Sequence, residues 1–329
     1  MGNSNSTYNP TTDIPDLKGK VIIVTGANVG IGYETVAELV KHGAKVYMGA
    51  RNESRATGAI AKLQAQGYLD GPNAGEVVWL KLDLATPEAA KSSAQEFLRR
   101  ETRLDVLVNN AGIGQLIEGA FNPVKDVKIS VGTLMATNHL GPFVFTNTLM
   151  PLIRETAAEL NSDVRVVTVA SSAHSQSPNI DWKSTDGWNF KSSGFFADLG
   201  SYGATKLANI LFAKQLQRIF DDENVNAISI SLHPGGVDTD FAQKMPASSW
   251  LGYVLFHLTR LSGQLLTPAQ GAYTTLFAAT SPGVQDRKKY GGAYLVPYGG
   301  IAEPTAAAKD PVAARDLWVT SESLVAAMY

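Results

Sequence analysis

The 329-residue chain contains no cysteine. That absence excludes disulfide scaffolds, thiol nucleophiles, iron–sulfur clusters and zinc sites built on sulfur, and leaves the chemistry to oxygen, nitrogen or a borrowed cofactor. A charge excess is missing too: 28 Lys and Arg stand against 30 Asp and Glu, with no long run of either sign. A nucleic-acid clamp draws its affinity from a dense basic surface, which this composition does not offer. No apolar run reaches the roughly 18 residues that span a bilayer. The nearest, Trp250 to Leu258, is interrupted by Gly252 and His257. The first dozen residues are polar and lack the apolar stretch of a secretory signal, which points to a cytoplasmic protein. Gly2 followed by Ser6 matches the loose pattern for N-myristoylation. A flexible polar tail over residues 1–16 explains the same residues, and a single acyl chain would hold a membrane only weakly.

What is present is ample core material, 44% hydrophobic residues against 18% charged. The length permits two domains of about 150 residues each, but no linker or internal repeat divides the chain. Lys20 to Thr25 is a continuous β-branched apolar run, as expected of a parallel strand buried on both faces. Gly26 to Gly32 follows, then helical spacing from Tyr33 to His42 that Gly43 ends. The alternation continues with strands at Lys45–Ala50, Val77–Asp83 and Leu104–Asn109, and helices at Ser54–Gln66 and Pro87–Arg99. Thr86 before Pro87 and Glu88 is a good helix start. A long helical region from Val131 to Leu160 should be interrupted at Gly141-Pro142. Strand Arg165–Ala170, helix Tyr202–Phe220, strand Asn226–Leu232 and a short strand Ala293–Val296 complete the pattern. Such alternation predicts one doubly wound α/β domain of Rossmann type over residues 17–329.

Two segments break the rhythm. Residues 173–201 carry Trp182, Trp188, Phe190, Phe195 and Phe196, and residues 240–267 carry Phe241, Trp250, Tyr253 and Phe256. Both follow strand ends, where ligands bind in open α/β sheets, so they are expected to form a hydrophobic substrate lid. An oligomer contact or a peripheral membrane contact would use the same residues.

The run Thr25-Gly26-Ala27-Asn28-Val29-Gly30-Ile31-Gly32 joins the first strand to the first helix. It supplies a tight turn at Gly26, close backbone approach to a pyrophosphate at Gly30, and a helix N-terminus for the phosphate charge. This run resembles the TGxxxGxG of the short-chain dehydrogenases/reductases, and later residues add to the likeness. Asp83-Leu84 resembles the family's adenine-contacting pair, Asn109-Asn110-Ala111-Gly112 its NNAG element, and Tyr202-Gly203-Ala204-Thr205-Lys206 its YxxxK. Pro234-Gly235-Gly236-Val237-Asp238-Thr239 is similar to its PGxVxT. The resemblance implies a cofactor site formed by Gly26, Asn28, Val29, Gly30, Ile31, Arg51, Asp83, Leu84, Asn110, Ala111, Gly112, Tyr202, Lys206, Pro234, Gly235, Val237 and Thr239. It also implies a catalytic set of Asn138, Ser172, Tyr202 and Lys206, with Asn138 holding a water in a relay to Lys206. Ser171 competes for the serine role, and the family register favours Ser172.

The chemistry of the residue types agrees with that assignment. Tyr202 and Lys206 lie one helical turn apart on one face. An ammonium beside a phenol is expected to lower the phenol pKa toward the working range, making Tyr202 the acid in reduction and the base in oxidation. A serine hydroxyl can hold the substrate oxygen at the phenol. His174, just beyond the serines, either faces substrate or is structural, and His139 and His233 read as structural groups. Asp181 and Asp186 read as solvated, and no metal-ligand spacing is present.

Cofactor choice turns on the end of the second strand. An NAD site places a carboxylate there; this chain has Arg51, suited to a 2′-phosphate, and no acid until Glu53. NADP(H) is therefore expected, with Asn28 or Val29 standing where the family has a second basic residue. The His233-Pro234-Gly235 stretch and Lys206-Leu207-Ala208-Asn209 resemble the retinol-dehydrogenase-like branch. That likeness implies an NADP(H)-dependent carbonyl reductase or alcohol dehydrogenase (a ketoreductase) for bulky apolar substrates, transferring the pro-S hydride. The C-terminal Tyr294 to Tyr298 and Leu317-Trp318 resemble reductases of secondary metabolism. Family members commonly pair through the helices of Asn138 and Tyr202, a face that the first insertion could block. The alternatives are a catalytically silent NADP(H)-binding scaffold or redox sensor, and an epimerase or dehydratase, for which TGxxGxxG is expected.

Overall fold

The computed structural model describes residues 8–114, 120–121, 131–190, 195–238 and 265–328. Gly2, Ser6, Thr239, Phe241, Trp250, Tyr253 and Phe256 lie outside the described residues. Helix α1 (Pro10–Asp13) leads to β1 (Val21–Thr25), α2 (Gly30–Lys41), β2 (Lys45–Ala50), α3 (Glu53–Ala65), β3 (Glu76–Lys81), α4 (Pro87–Leu98) and β4 (Val106–Asn109). A ribbon of β5 (Ala120–Phe121) and β6 (Val131–Gly132) precedes α5 (Thr133–Met135), a π-helical turn at Ala136–Leu140 and α6 (Gly141–Ala157). Then come β7 (Val164–Val169), α7 (Phe195–Asp222), β8 (Ala227–Leu232), α8 (Pro268–Thr280), α9 (Arg287–Tyr290), β9 (Tyr294–Val296), β10 (Gly300–Ile301), α10 (Ala306–Lys309) and α11 (Pro311–Ala326).

Strands β10-β9-β8-β7-β4-β1-β2-β3 form one eight-stranded sheet. All its pairings are parallel except the edge pair β9–β10. Side chains alternate across each strand. Ile22 and Val24 enter the core under α2 and α8. Val21 and Ile23 enter the core formed with α4, α6 and α7. The chain runs outward from β1 to β3 and returns to β4 beside β1, so a crevice opens between the C-terminal ends of β1 and β4, where such sheets bind ligands.

Three expectations change. Val131-Gly132 is a strand that pairs with Ala120-Phe121 rather than the start of a helix. The helix that follows is not broken at Gly141-Pro142 but widens to a π turn just before it. Pro142 has no N–H to close an α-helical ring, and the wider turn absorbs the defect. Gly141 lets this helix press on the exit of β3, where an added Cβ would meet the Leu84 carbonyl oxygen at 2.2 Å. Third, the tryptophans of the first insertion do not line an open lid. Trp182 and Trp188 are buried in a cluster with Leu207 and Leu211 of α7 and Leu317 of α11.

Candidate active site

Gly26, in the left-handed region at φ 64°, turns the chain out of β1 where a side chain would come within 2.9 Å of the Ala111 Cα. Thr25 locks this crossing: its hydroxyl oxygen accepts from the main-chain N–H groups of Asn110 at 3.0 Å and Ala111 at 2.9 Å. The Asn110 amide donates back to the Thr25 carbonyl at 2.8 Å. The glycine run and the NNAG element are thus one structure. Helix α2 starts at Gly30 with Val29 as its N-cap, and no side chain caps its first amides. Val29 is 57% exposed although apolar. Open N–H donors at a helix N-terminus, beside a turn that admits close approach, fit the pyrophosphate of a dinucleotide. Asn28 and Ile31 flank this opening, both half-buried.

The remaining cofactor candidates ring the same crevice. Arg51 directly follows β2, is exposed, and makes no hydrogen bond or ion pair among the described residues. Asp83 accepts from the Ala85 N–H at 3.0 Å, while Leu84 is buried against the core. Beyond β8, Gly235 donates to His233 Nδ1 at 3.0 Å, next to Pro234. Val237 bridges to Leu266. Gly112 joins the crevice to the catalytic candidates, since a Cβ there would lie 3.3 Å from Asn138 Oδ1 and 3.5 Å from Lys206 Nζ.

Tyr202 and Lys206 are buried on α7. Lys206 Nζ donates to the Val169 carbonyl at 2.9 Å and stands 5.6 Å from the Tyr202 ring centroid. Of the two serines, Ser171 is the one whose side chain opposes the rise that burial causes in the Tyr202 phenol, while the favoured Ser172 is exposed. Local geometry sets the two serines apart. Ser171 is extended (φ −160°, ψ 154°) and its Oγ accepts from the Ala173 N–H at 3.1 Å, capping the turn that follows. Ser172 is the first residue of that 3-10 turn and points to solvent.

The expected lowering of the Tyr202 pKa does not hold in the chain by itself. Burial pushes the phenol up, the Ser171 side chain opposing it only in part, and burial lowers Lys206 to about 8. The ammonium is engaged with the Val169 carbonyl rather than with the phenol oxygen, so desolvation decides both directions.

Asn138 lies in the π turn with its side chain fully used. Its Oδ1 accepts from the Ile113 N–H at 2.7 Å, and its Nδ2 donates to the Ile113 carbonyl at 2.8 Å and to Thr205 Oγ1 at 3.1 Å. Its main-chain carbonyl loses a helical donor at Pro142. Asn209 supplies another. With its amide nitrogen turned toward acceptors, it donates to the Asn138 carbonyl at 2.8 Å and to that of Thr205 at 3.2 Å. The opposite orientation offers one contact of 3.4 Å to Val169, so the first is assigned. Gly141-Pro142 and Asn209 stand out in the sequence, but no local pattern links either to Asn138. Among the other candidates, Asp181 and Asp186 are exposed. His139 is buried, bonded to Ser321 at 2.9 Å, and burial lowers it to about 3.

The comparisons agree with this geometry. Residues 20–183 match the family model for short chain dehydrogenase. A short-chain dehydrogenase/reductase of Armillaria gallica is 39% identical, over 99% of this chain and 98% of that protein. One from Colletotrichum higginsianum, dpchH, is 41% identical, over 94% of this chain and 75% of that protein. An uncharacterized protein from Mycobacterium Paratuberculosis, known by crystal structure, superposes with a TM-score of 0.66 at 27% identity, over 98% of both chains. The RhlG/NADP active-site complex of Pseudomonas aeruginosa shares the fold, with a TM-score of 0.60 at 22% identity over 87% of this chain and 97% of that one. With its crevice, its motifs and its relatives in agreement, the chain belongs to the short-chain dehydrogenase/reductase family, oxidoreductases that act on CH–OH groups and use NAD(P)(H).

Proposed function

We propose that this chain is an NADP(H)-dependent carbonyl reductase of the retinol-dehydrogenase-like kind, acting on a bulky apolar ketone or aldehyde in secondary metabolism. The observation that carries the reading is the buried pair Tyr202 and Lys206, with the half-buried Ser171 beside the phenol and Asn138 near Lys206 at the Gly112 turn. Fungal relatives that match 94% or more of this chain support the class, and the aromatic residues of 240–267 support the apolar substrate. Arg51 supports the phosphate-bearing cofactor. Solved proteins of this fold carry either form, NADP in one and NADH in another, so the fold alone does not choose.

When bound, the nicotinamide supplies the hydride for the carbonyl carbon. The α2 N-terminus would hold the pyrophosphate, Arg51 the 2′-phosphate, and Lys206 with Tyr202 the ribose side of the nicotinamide. Burial keeps the Tyr202 phenol protonated, so it enters reduction as the acid and gives its proton to the substrate oxygen. Ser171 donates to the same oxygen and orients it. Asn209 fixes the Asn138 main-chain carbonyl, a place for the water that returns the proton.

The reading is tested by NADPH oxidation with a panel of bulky ketones and aldehydes. Tyr202→Phe is expected to keep NADPH affinity and lose about a thousandfold in turnover; near-normal turnover would overturn the mechanism. Arg51→Asp is expected to move preference toward NADH, and unchanged preference would place the phosphate site elsewhere.

A further inference from the structure

His174 follows the serine pair but does not enter the cleft. It is buried, 6% exposed, and both ring nitrogens are used on the far side of the serine turn. Nδ1 lies 2.8 Å from the Ser171 carbonyl oxygen. Nε2 lies 3.3 Å from the main-chain N–H of Thr305, ahead of α10. An amide N–H can only donate, so Nε2 must accept and the single ring proton must sit on Nδ1, aimed at the Ser171 carbonyl. The ring stands edge-on to Tyr294 of β9, centroids 5.2 Å apart. The carbonyl of Ser171, whose side chain borders Tyr202, is therefore held by an imidazole that is fastened to the C-terminal segment.

We propose that His174 is a positioning residue: a neutral imidazole, protonated at Nδ1 and locked by the Thr305 N–H, that fixes Ser171 at Tyr202 and so makes turnover depend on the docking of the segment before α10. The role rests on the carbonyl-reductase reading, while the tautomer does not. The ring's surroundings favour the neutral form. Burial lowers His174, the bond to Ser171 opposing this in part. The titratable groups that face it are His233, itself lowered to about 4, and Tyr294, raised by burial. Among the described residues no carboxylate bonds to the ring. A proton added at Nε2 would point at the Thr305 N–H, two donors facing each other, and release the lock.

Two measurements decide the matter. In long-range ¹H–¹⁵N spectra of histidine-labelled protein, with His174 identified by its loss in His174→Phe or His174→Asn, the signal should show the Nδ1–H tautomer and stay neutral through pH 6. An Nε2–H tautomer, or titration near 6.5, would overturn the lock. In steady-state assays with NADPH and a bulky aromatic ketone, His174→Phe should lower kcat by up to about a hundredfold through misplacement of Ser171. NADPH affinity, read by fluorescence titration, should not change. His174→Asn, whose amide can replace the Nδ1 donor, should recover most of the loss. Should His174→Phe fail to fold, Thr305→Pro, with Thr305→Val as the control for the lost hydroxyl, replaces it, since φ is −57° there and the substitution removes the N–H. It should move the acid limb of the kcat profile toward the ordinary histidine range. Unchanged kcat and pH profile in a folded variant would overturn the positioning role. A wild type that turns over no carbonyl would overturn the reductase reading and this role with it, while the spectra would still decide the tautomer.

Discussion

At the scale of single residues, the two adjacent serines separate a pattern from a geometry. Ser171 is the last extended residue and its side chain acts on the Tyr202 phenol, whereas Ser172 is exposed. Ser171→Ala is expected to lower kcat by about 10² to 10³, the usual cost of a lost donor to a reacting oxygen. Ser172→Ala should leave kcat little changed, and the reverse ranking in parallel assays would return the role to Ser172. Tyr202 and Lys206 were readable from spacing alone because a helix sets i and i+4 side by side. Their protonation was not readable from spacing. Depth of burial sets it, and burial comes from packing that α7 receives from elsewhere in the chain.

At the scale of elements, α11 shows what a C-terminal extension contributes. Trp318 stacks on Phe212 of α7 at 5.6 Å and meets Phe143 of α6 edge-on at 5.0 Å. Its indole N–H donates to Glu322 at 2.8 Å. Together with Trp188, which stands edge-on to His139, this helix covers the outer side of α6 and α7. Trp318→Ala is expected to cost about 3 to 5 kcal/mol, measured as a lowered urea midpoint at unchanged slope. A loss below about 1 kcal/mol would show that α11 rests there without contributing to the core. The insertion at 173–201 was legible as a break in rhythm. That its tryptophans fill a core was not, since a run of aromatics reads alike whether the surface that buries it belongs to a ligand or to another helix.

At the scale of the whole molecule, the buried histidines tie stability to pH. His139 and His233 are lowered by burial to about 3 and about 4, and His174 is lowered as well. The unfolded chain takes up protons on these rings below about pH 6.5 while the folded chain refuses them. Stability is thus fully present above that pH and falls as pH drops. The carboxylates act lower. Burial alone would raise Asp105 and Asp163, but bonds from Arg103 and Arg165 hold both below the usual range, so their contribution is lost only under stronger acid. Between pH 6.5 and 5 a fully buried neutral histidine should cost about 2 kcal/mol. His139→Phe should flatten that stretch of the stability profile, and an unchanged slope in chemical denaturation would refute the assignment.

By itself the sequence determined the alternation of strands and helices, the glycine turn, the tyrosine–lysine pair and the basic residue after β2, because each depends on neighbours a few positions away. Only the tertiary structure decided how exposed each serine is, why Pro142 and Asn209 belong to one carbonyl, and that His174 faces Thr305 rather than the cleft. Those contacts join residues from separate elements, in one case 131 positions apart. Such pairings are selected by how helices pack on the sheet, which no local periodicity encodes.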